Sequence, residues 1–550
     1  LFLELMFRIC AGCNMSAIGD AMAHRAGTFH RRENDMTQLM PSESTPDGAP
    51  AIQGRTAAEG PAMAAPAGGG IETGWLDGLL HTALRQYAVP GAVCGVLMPG
   101  RRGAHPHGDE TDCGLDMSCA HAGVVSMATQ YPVLPDTLFQ IGSISKIWTT
   151  VLAMQLIDEG KLSLATRVVD VLPDFSIAGA PDSTKGCTIR HLMCHISGIE
   201  GDAFPDLGRD DDAVARYVRY IGGFPARTAL GGPLSYSNGA FVILGRVVEV
   251  LRGMTWDEAI QRYIARPMGL HDVCTLPEDV LLHSSALGHH RAVATNVPVF
   301  PAPVEPTDIW QLPRCTGPCG SVSCSIHDLL AFASLFLNGG VAPNGARILS
   351  ADAVRQMLTM QVSLADQGVE NLGWALGWQI PNWGSERAVG HGGATEGQRA
   401  GIVLFPDRRM VIATLTNADA GTEMAAHIAA CIAEYVGLGP KIVPQPVPIA
   451  DDVIPDDRKD SIIGVYERHG EHIEFCAGGP TGVLAMIDPD DDDGPNGVRL
   501  VLPLHRTAQG FYAVRRPDER GLTEIAFLDA ADGTHYVACG HRVTPRVRMH

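Results

Sequence analysis

Ser143 and Lys146 stand three residues apart in Phe139-Gln-Ile-Gly-Ser-Ile-Ser-Lys-Ile-Trp-Thr-Thr150, and the lysine is the unusual member, since only five of the 41 basic residues are lysine. Arginine is the default cation of this chain. A lysine whose surroundings lower its pKa can give up and take back a proton, which a guanidinium inside a protein does not do. The apolar run from Ile147 to Ile157 reads as a buried helix ending near Gly160. If that helix begins at Ser143, hydroxyl and amine share one face of its first turn. There, free backbone N–H groups and the helix dipole favour a developing oxyanion. This is the S-x-x-K arrangement of acyl-transfer chemistry. With so few fixed residues it also arises by chance, so other residues must support it.

Two further stretches do. Pro233-Leu-Ser-Tyr-Ser-Asn-Gly-Ala-Phe-Val-Ile-Leu-Gly245 places Tyr236 and Asn238 at the mouth of an apolar helix. Ala388-Val-Gly-His-Gly-Gly-Ala-Thr-Glu-Gly397 places His391 and Gly393 at a strand, followed by a strand pair, Gly401 to Phe405 and Met410 to Leu415. Each has a plainer explanation: a core tyrosine, a helix N-cap asparagine, a strand-end histidine. The Gly392-Gly393 pair suits a strand whose backbone a substrate must approach closely. Glu396 and Asn417 are weaker candidates flanking the same cleft.

Pro135-Asp-Thr-Leu-Phe-Gln-Ile-Gly-Ser-Ile-Ser-Lys146, Gly160 to Leu164 and Ile189 to Gly198, in order with the Tyr-x-Asn and His-x-Gly stretches, resemble the serine β-lactamase-related family. That family holds class C β-lactamases, low-molecular-weight penicillin-binding proteins, family VIII esterases and D-aminopeptidases. The resemblance runs from about residue 75 to 437 and takes in Ile264 to Leu270 and Gly317 to Phe332. It departs from the pattern at Met193, Cys194 and Ile196, none a catalytic position of the family. It implies Ser143 as nucleophile, Lys146 and Tyr236 as a shared base, and Asn238 as a donor to substrate or a holder of Lys146. The backbone N–H groups of Ser143 and of Ala394, which follows Gly393, would form the oxyanion hole. His391 stands where the β-lactamases and penicillin-binding proteins usually carry a lysine that helps hold a substrate carboxylate. An imidazole is mostly neutral at pH 7, which points to short esters or uncharged amides, with Arg399 as the alternative cation.

The implied fold is an α/β (α+β) β-lactamase/transpeptidase-like one: an antiparallel sheet flanked by helices plus an all-helical subdomain, with a small C-terminal antiparallel β-domain. At 550 residues the chain suggests several units. We divide it into a disordered arm (1–70), a hydrolase domain (71–439), a proline-rich linker (440–458) and the β-domain (459–550). Within the second, Trp75 to Tyr87 reads as a helix, Val89 to Leu97 as a buried strand, and 99–122 as a polar, glycine-rich extended hairpin connection or insertion. Asp488 to Gly494 reads as a solvated acidic loop rather than a calcium site, because its glycine register would make Pro489 a ligand.

The net charge of −20 argues against general nucleic-acid binding. No stretch is continuously apolar for a membrane span. The 14 cysteines lack a disulfide or zinc spacing; they read as thiols of a reducing compartment, with a Cys113–Cys119 link disfavoured. The first residues lack a basic region ahead of the apolar ones, so the expectation is cytoplasmic. No G-x-S-x-G or H-E-x-x-H occurs, and neither metal nor cofactor is expected. The expected activity is ester, amide or peptide hydrolysis of a small molecule through an acyl-enzyme. The alternatives are D-aminopeptidase, DD-carboxypeptidase or weak β-lactamase activity, or a non-catalytic binding or assembly module.

Overall fold

The computed structural model describes residues 70–549, apart from 101–113, 292–302, 365–371, 440–448, 450–451, 489–498, 509, 516–521 and 531–532. The N-terminal arm up to residue 69, Cys113, most of the proline-rich stretch and residues 489–494 of the acidic loop lie outside the described residues.

Among the described residues the chain starts with helix α1 (Thr73–Tyr87) and strands β1 (Gly91–Pro99) and β2 (Leu115–Gly123). It continues through helices α2 (Ser145–Asp158), α3 (Asn238–Arg252) and α4 (Ile326–Ser334) to strands β3 (Val362–Ser363), β4 (Gly373–Trp374), β5 (Gln379–Ile380), β6 (Val389–Thr395), β7 (Gln398–Phe405) and β8 (Met410–Thr416), and then helix α5 (Gly421–Tyr435). These strands form one antiparallel sheet in the order β2-β1-β8-β7-β6-β5-β4-β3. Both faces are covered, which is why β1 reads as an unbroken apolar run. Its alternate residues Ala92, Cys94 and Val96 join the cluster under α1 and α5. Val93 and Leu97 face the helical layer on the other side. Residues 99–122 are not all connection: 115–123 complete the β1–β2 hairpin, with Gly91 opposite Gly123. The polar composition misled because the strand lies at the sheet edge, with Asp116, Met117 and His121 exposed.

Helix α2 is buried on every side from Ser145 to Leu156, as expected for a helix apolar all round. Trp148 stacks on Phe332 of α4 with ring centroids 3.8 Å apart. The α-helix proper starts at Ser145; Ser143 occupies a preceding 3₁₀ turn, Gly142–Ile144. Helix α3 packs against α2, starts under Ser237, whose Oγ accepts from the Ala240 N–H at 3.0 Å, and ends at Gly253 with φ 66°. Such a cap contributes about 1 kcal/mol. The cap is therefore Ser237 and not Asn238.

The C-terminal region is a barrel of β9 (Gly464–Arg468), β10 (Glu471–Ala477), β11 (Val483–Ile487), β12 (Leu500–Pro503), β13 (His505–Arg506), β14 (Tyr512–Val514), β15 (Thr523–Asp529), β16 (His535–Cys539) and β17 (Arg542–Arg548). The order is β12-β11-β10-β9-β17-β16-β15-β14-β13. β12 and β13 are successive pieces of one segment, 500–506, which pairs with β11 at one end and β14 at the other, so the sheet nearly closes on itself. Tyr466, Phe475, Leu504, Val514, Ile525 and Val537 fill it. Ile454 and the helix Asp456–Ile462 pack on this same core, so the end of the stretch read as linker is part of the barrel.

Candidate active site

The nucleophile turn and strand β6 touch through glycines. Gly142 has φ 50°, a left-handed conformation that glycine adopts without strain. A Cβ there would collide with the backbone of Ala394, and one on Gly393 with the carbonyl of Ile141. Only glycines at both places let the Ser143 turn lie directly against the end of β6, where Ala394 follows. Gly392 pairs with Gly401 and Gly393 with Ala400, so β7 beside them is equally small.

Lys146 is fully buried. Its ammonium donates to Ser143 Oγ at 3.0 Å, to Asn238 Oδ1 at 2.6 Å and to the Cys319 carbonyl at 2.8 Å, matching the three N–H groups of an ammonium. The carbonyl arrives on the helical turn Gly317–Gly320, which seats Pro318 against Gly245 of α3 so closely that a Cβ there would collide with the proline ring. The Lys146 Nζ lies 4.8 Å from the centre of the Tyr236 ring. The spacing of Ser143, Lys146, Tyr236 and Asn238 in the sequence thus becomes one cluster in space.

Tyr236 is buried and its ring stacks on His195 at 4.2 Å, with Trp374 of β4 edge-on at 5.7 Å. His195 has φ 58°, a conformation that costs a non-glycine residue roughly 1 to 2 kcal/mol. Its carbonyl accepts from Ser235 N–H at 2.9 Å and its Nδ1 from Ser237 N–H at 3.0 Å. At about 1 kcal/mol each, plus the stacking, these contacts offset the strain. Burial, and then the charge of Lys146, hold the His195 imidazole well below its usual pKa.

His391 is buried beside Trp374, ring centroids 5.8 Å apart, with Tyr236 at 6.2 Å. Nδ1 donates to the Gly392 carbonyl at 2.6 Å, and Nε2 has no hydrogen-bond partner among the described residues. Burial, and then Lys146, push its pKa down to about 3, so the ring is neutral throughout the physiological range. Arg399 does not offer a substitute cation: it is buried, donates to the carbonyls of Thr395 and Gln398, and pairs with Asp419 at 2.5 Å. Asn417 is a structural tie, accepting from Gly91 N–H and donating to the carbonyls of Val124 and Val125. Glu396 pairs with His290.

The barrel supplies a wall of the site that no motif announced. The turn between β16 and β17 brings the His541 carbonyl to the Tyr236 N–H at 2.7 Å, and His541 Nε2 meets Gln379 Nε2 at 2.7 Å. Arg542 places its guanidinium carbon 5.0 Å from the Tyr236 ring centre and grips buried Asp202, Nε to Oδ2 at 2.6 Å and Nη2 to Oδ1 at 2.5 Å. Arg468 Nη1 adds a contact to Asp202 Oδ2 at 2.7 Å. Cys315 Sγ meets the Pro205 carbonyl, and Cys319 contributes its backbone carbonyl to the site. Cys119 is a free thiol. Among the described residues no helix is long and apolar enough to cross a membrane.

The chain is similar in sequence and fold to known proteins. A family model described as Beta-lactamase matches residues 76–436. Penicillin-binding protein 4 of Amycolatopsis lactamdurans is 35% identical over 398 residues, covering 70% of this chain and 96% of that protein. The crystal structure of SurE superposes with a TM-score of 0.68 at 23% identity, covering 86% of this chain and 99% of that one. A D-amino acid amidase from Ochrobactrum anthropi superposes with a TM-score of 0.53 at 17% identity, over 66% of this chain and 97% of that one.

Proposed function

This chain belongs to the beta-lactamase family and is a serine hydrolase, and we propose that it acts through an acyl-enzyme on Ser143 and turns over uncharged esters or amides. The observation that carries the reading is the buried Lys146 within 3.0 Å of Ser143 Oγ and 2.6 Å of Asn238. In its neutral form the amine accepts the serine proton, with the Tyr236 phenol sharing the transfer, while Oγ bonds to the substrate carbonyl carbon. The oxyanion so formed lies against the N–H groups of Ser143 and Ala394, which the glycine contact brings together. Collapse breaks the bond to the leaving group, which takes up the proton. Water then attacks the acyl-enzyme by the same proton path, releasing the acid and restoring the serine. Asn238 accepts from Lys146 through its carbonyl end and donates from Nδ2 to Asp202 Oδ1, which favours holding the lysine over donating to substrate.

The substrate class follows from charge. A carboxylate-binding site wants a cation at every physiological pH. His391 is neutral, Arg399 is bonded to half-buried Asp419, and Arg542 is bonded to buried Asp202. Penicillins and cephalosporins then act as slow acylating ligands, a reading that the likeness to a penicillin-binding protein supports. The test is kcat/KM for a p-nitrophenyl ester and a chromogenic cephalosporin, together with fluorophosphonate labelling. The ester should be preferred, and Ser143→Ala should abolish both labelling and turnover. Undiminished hydrolysis by that variant would sink the mechanism, and a cephalosporin preference would sink the substrate class.

A further inference from the structure

Asn238 has one hydrogen-bond acceptor end and one donor end. Its Oδ1 accepts from Lys146 at 2.6 Å and its Nδ2 donates to Asp202 Oδ1 at 3.4 Å, so ammonium and carboxylate select the same orientation of the amide. Asp202 is itself fixed from the far side by Arg542 and Arg468 of the barrel. Burial raises its carboxyl pKa, but the two guanidinium groups reverse this and hold it below the usual range. Glu471 on β10 pairs with Arg468 at 2.8 Å, so the cluster of two arginines and two carboxylates balances in charge. Its loop is anchored independently, because Glu200 pairs with Arg227 and accepts from the Asp202 N–H at 3.0 Å.

We propose that Asp202, gripped by Arg468 and Arg542, is a positioning residue for Asn238 and through it for Lys146, so that the C-terminal barrel is a working part of the active site. The chain of contacts runs from barrel arginine to carboxylate to amide to ammonium without a gap. This rests on the acyl-enzyme reading, which Ser143→Ala tests separately.

The groups facing Lys146 are Ser143 on its own turn, Tyr236 and Asn238 at the head of α3, His195, His391 on β6 and the Cys319 turn. Behind them stand Asp202, Arg468, Glu471, His541 and Arg542. Removing a negative charge from this set disfavours the ammonium, and removing a positive one favours it. In the full chain, Asp202→Asn should lower kcat by roughly tenfold to a hundredfold through misplacement of the amide and move the acid limb of the kcat/KM profile to lower pH. Arg542→Gln should lower kcat too, but move the acid limb to higher pH, each shift being roughly half a pH unit or more. The double variant should return the limb to its original place while kcat stays low. A passive structural role would not produce opposite shifts. Limbs that stay in place or move together overturn the proposal, as does an unchanged kcat in Asp202→Asn. If Asp202→Asn does not fold, Arg542→Gln decides alone, and a limb that stays put or moves down overturns the proposal.

Discussion

The site has two walls of different origin. One, made of Ser143, Lys146, Tyr236, Asn238 and His391, comes from short stretches in which functional residues sit next to the glycines and turns that position them. The other, made of Arg468, His541 and Arg542, comes from a barrel with its own separate core. The first wall holds the groups we propose to exchange protons; the second holds backbone and charge. Reactive geometry can therefore be local in sequence while the field around it is assembled from afar.

The sharpest break in the comparison would come at Lys146. Lys146→Arg keeps the charge but cannot shuttle a proton, so it should lose roughly 10² to 10⁴ in kcat, nearly as much as Lys146→Ala. Wild-type-like rates in the arginine variant would reduce the first wall to electrostatics. Next is Gly393→Ala, whose methyl would strike the Ile141 carbonyl. Pushing β6 off the nucleophile turn should cost roughly 10² in kcat, measured alongside thermal stability to show that the protein still folds.

His391→Lys sharpens the boundary between the walls. It should raise the ratio of cephalosporin to ester kcat/KM by about tenfold, one charge-assisted contact's worth. No change in the ratio would show that His391 does not face the substrate. On the barrel side, His541→Ala removes the Gln379 contact but keeps the carbonyl that holds Tyr236. Its cost should be roughly fivefold or less, the worth of one hydrogen bond; a hundredfold loss would give the second wall a chemical role of its own.

The smallest effect lies outside both walls. His290 is raised to about 9 by its hydrogen bonds to Asp419 and Glu396. A raised histidine contributes stability that is complete below its unfolded pKa of about 6.5 and is lost as pH rises through the folded value. The Tm of the unmodified protein should therefore fall between pH 6.5 and 9 by more than that of His290→Gln, with kcat unchanged.

What the sequence determined by itself was the first wall and the elements carrying it. The reason is locality: Ser143 and Lys146 are held by one turn and one helix, and Tyr236 and Asn238 by the entry to another. The continuous apolar runs of β1 and α2 report burial whatever the partners are. Even so, the sequence left open whether the helix begins at Ser143, which stands in the 3₁₀ turn before it, and whether Asn238 was a cap. What only the tertiary structure decided was everything set by through-space charge and by contacts between distant segments. Burial, and then the charge of Lys146, drive His391 down to about 3. Asp419 takes Arg399 out of contention. Arg542 reaches Asp202 across more than three hundred residues of chain, and no periodicity or spacing encodes a contact of that kind. It exists only because the barrel folds and docks its β16–β17 turn against Tyr236.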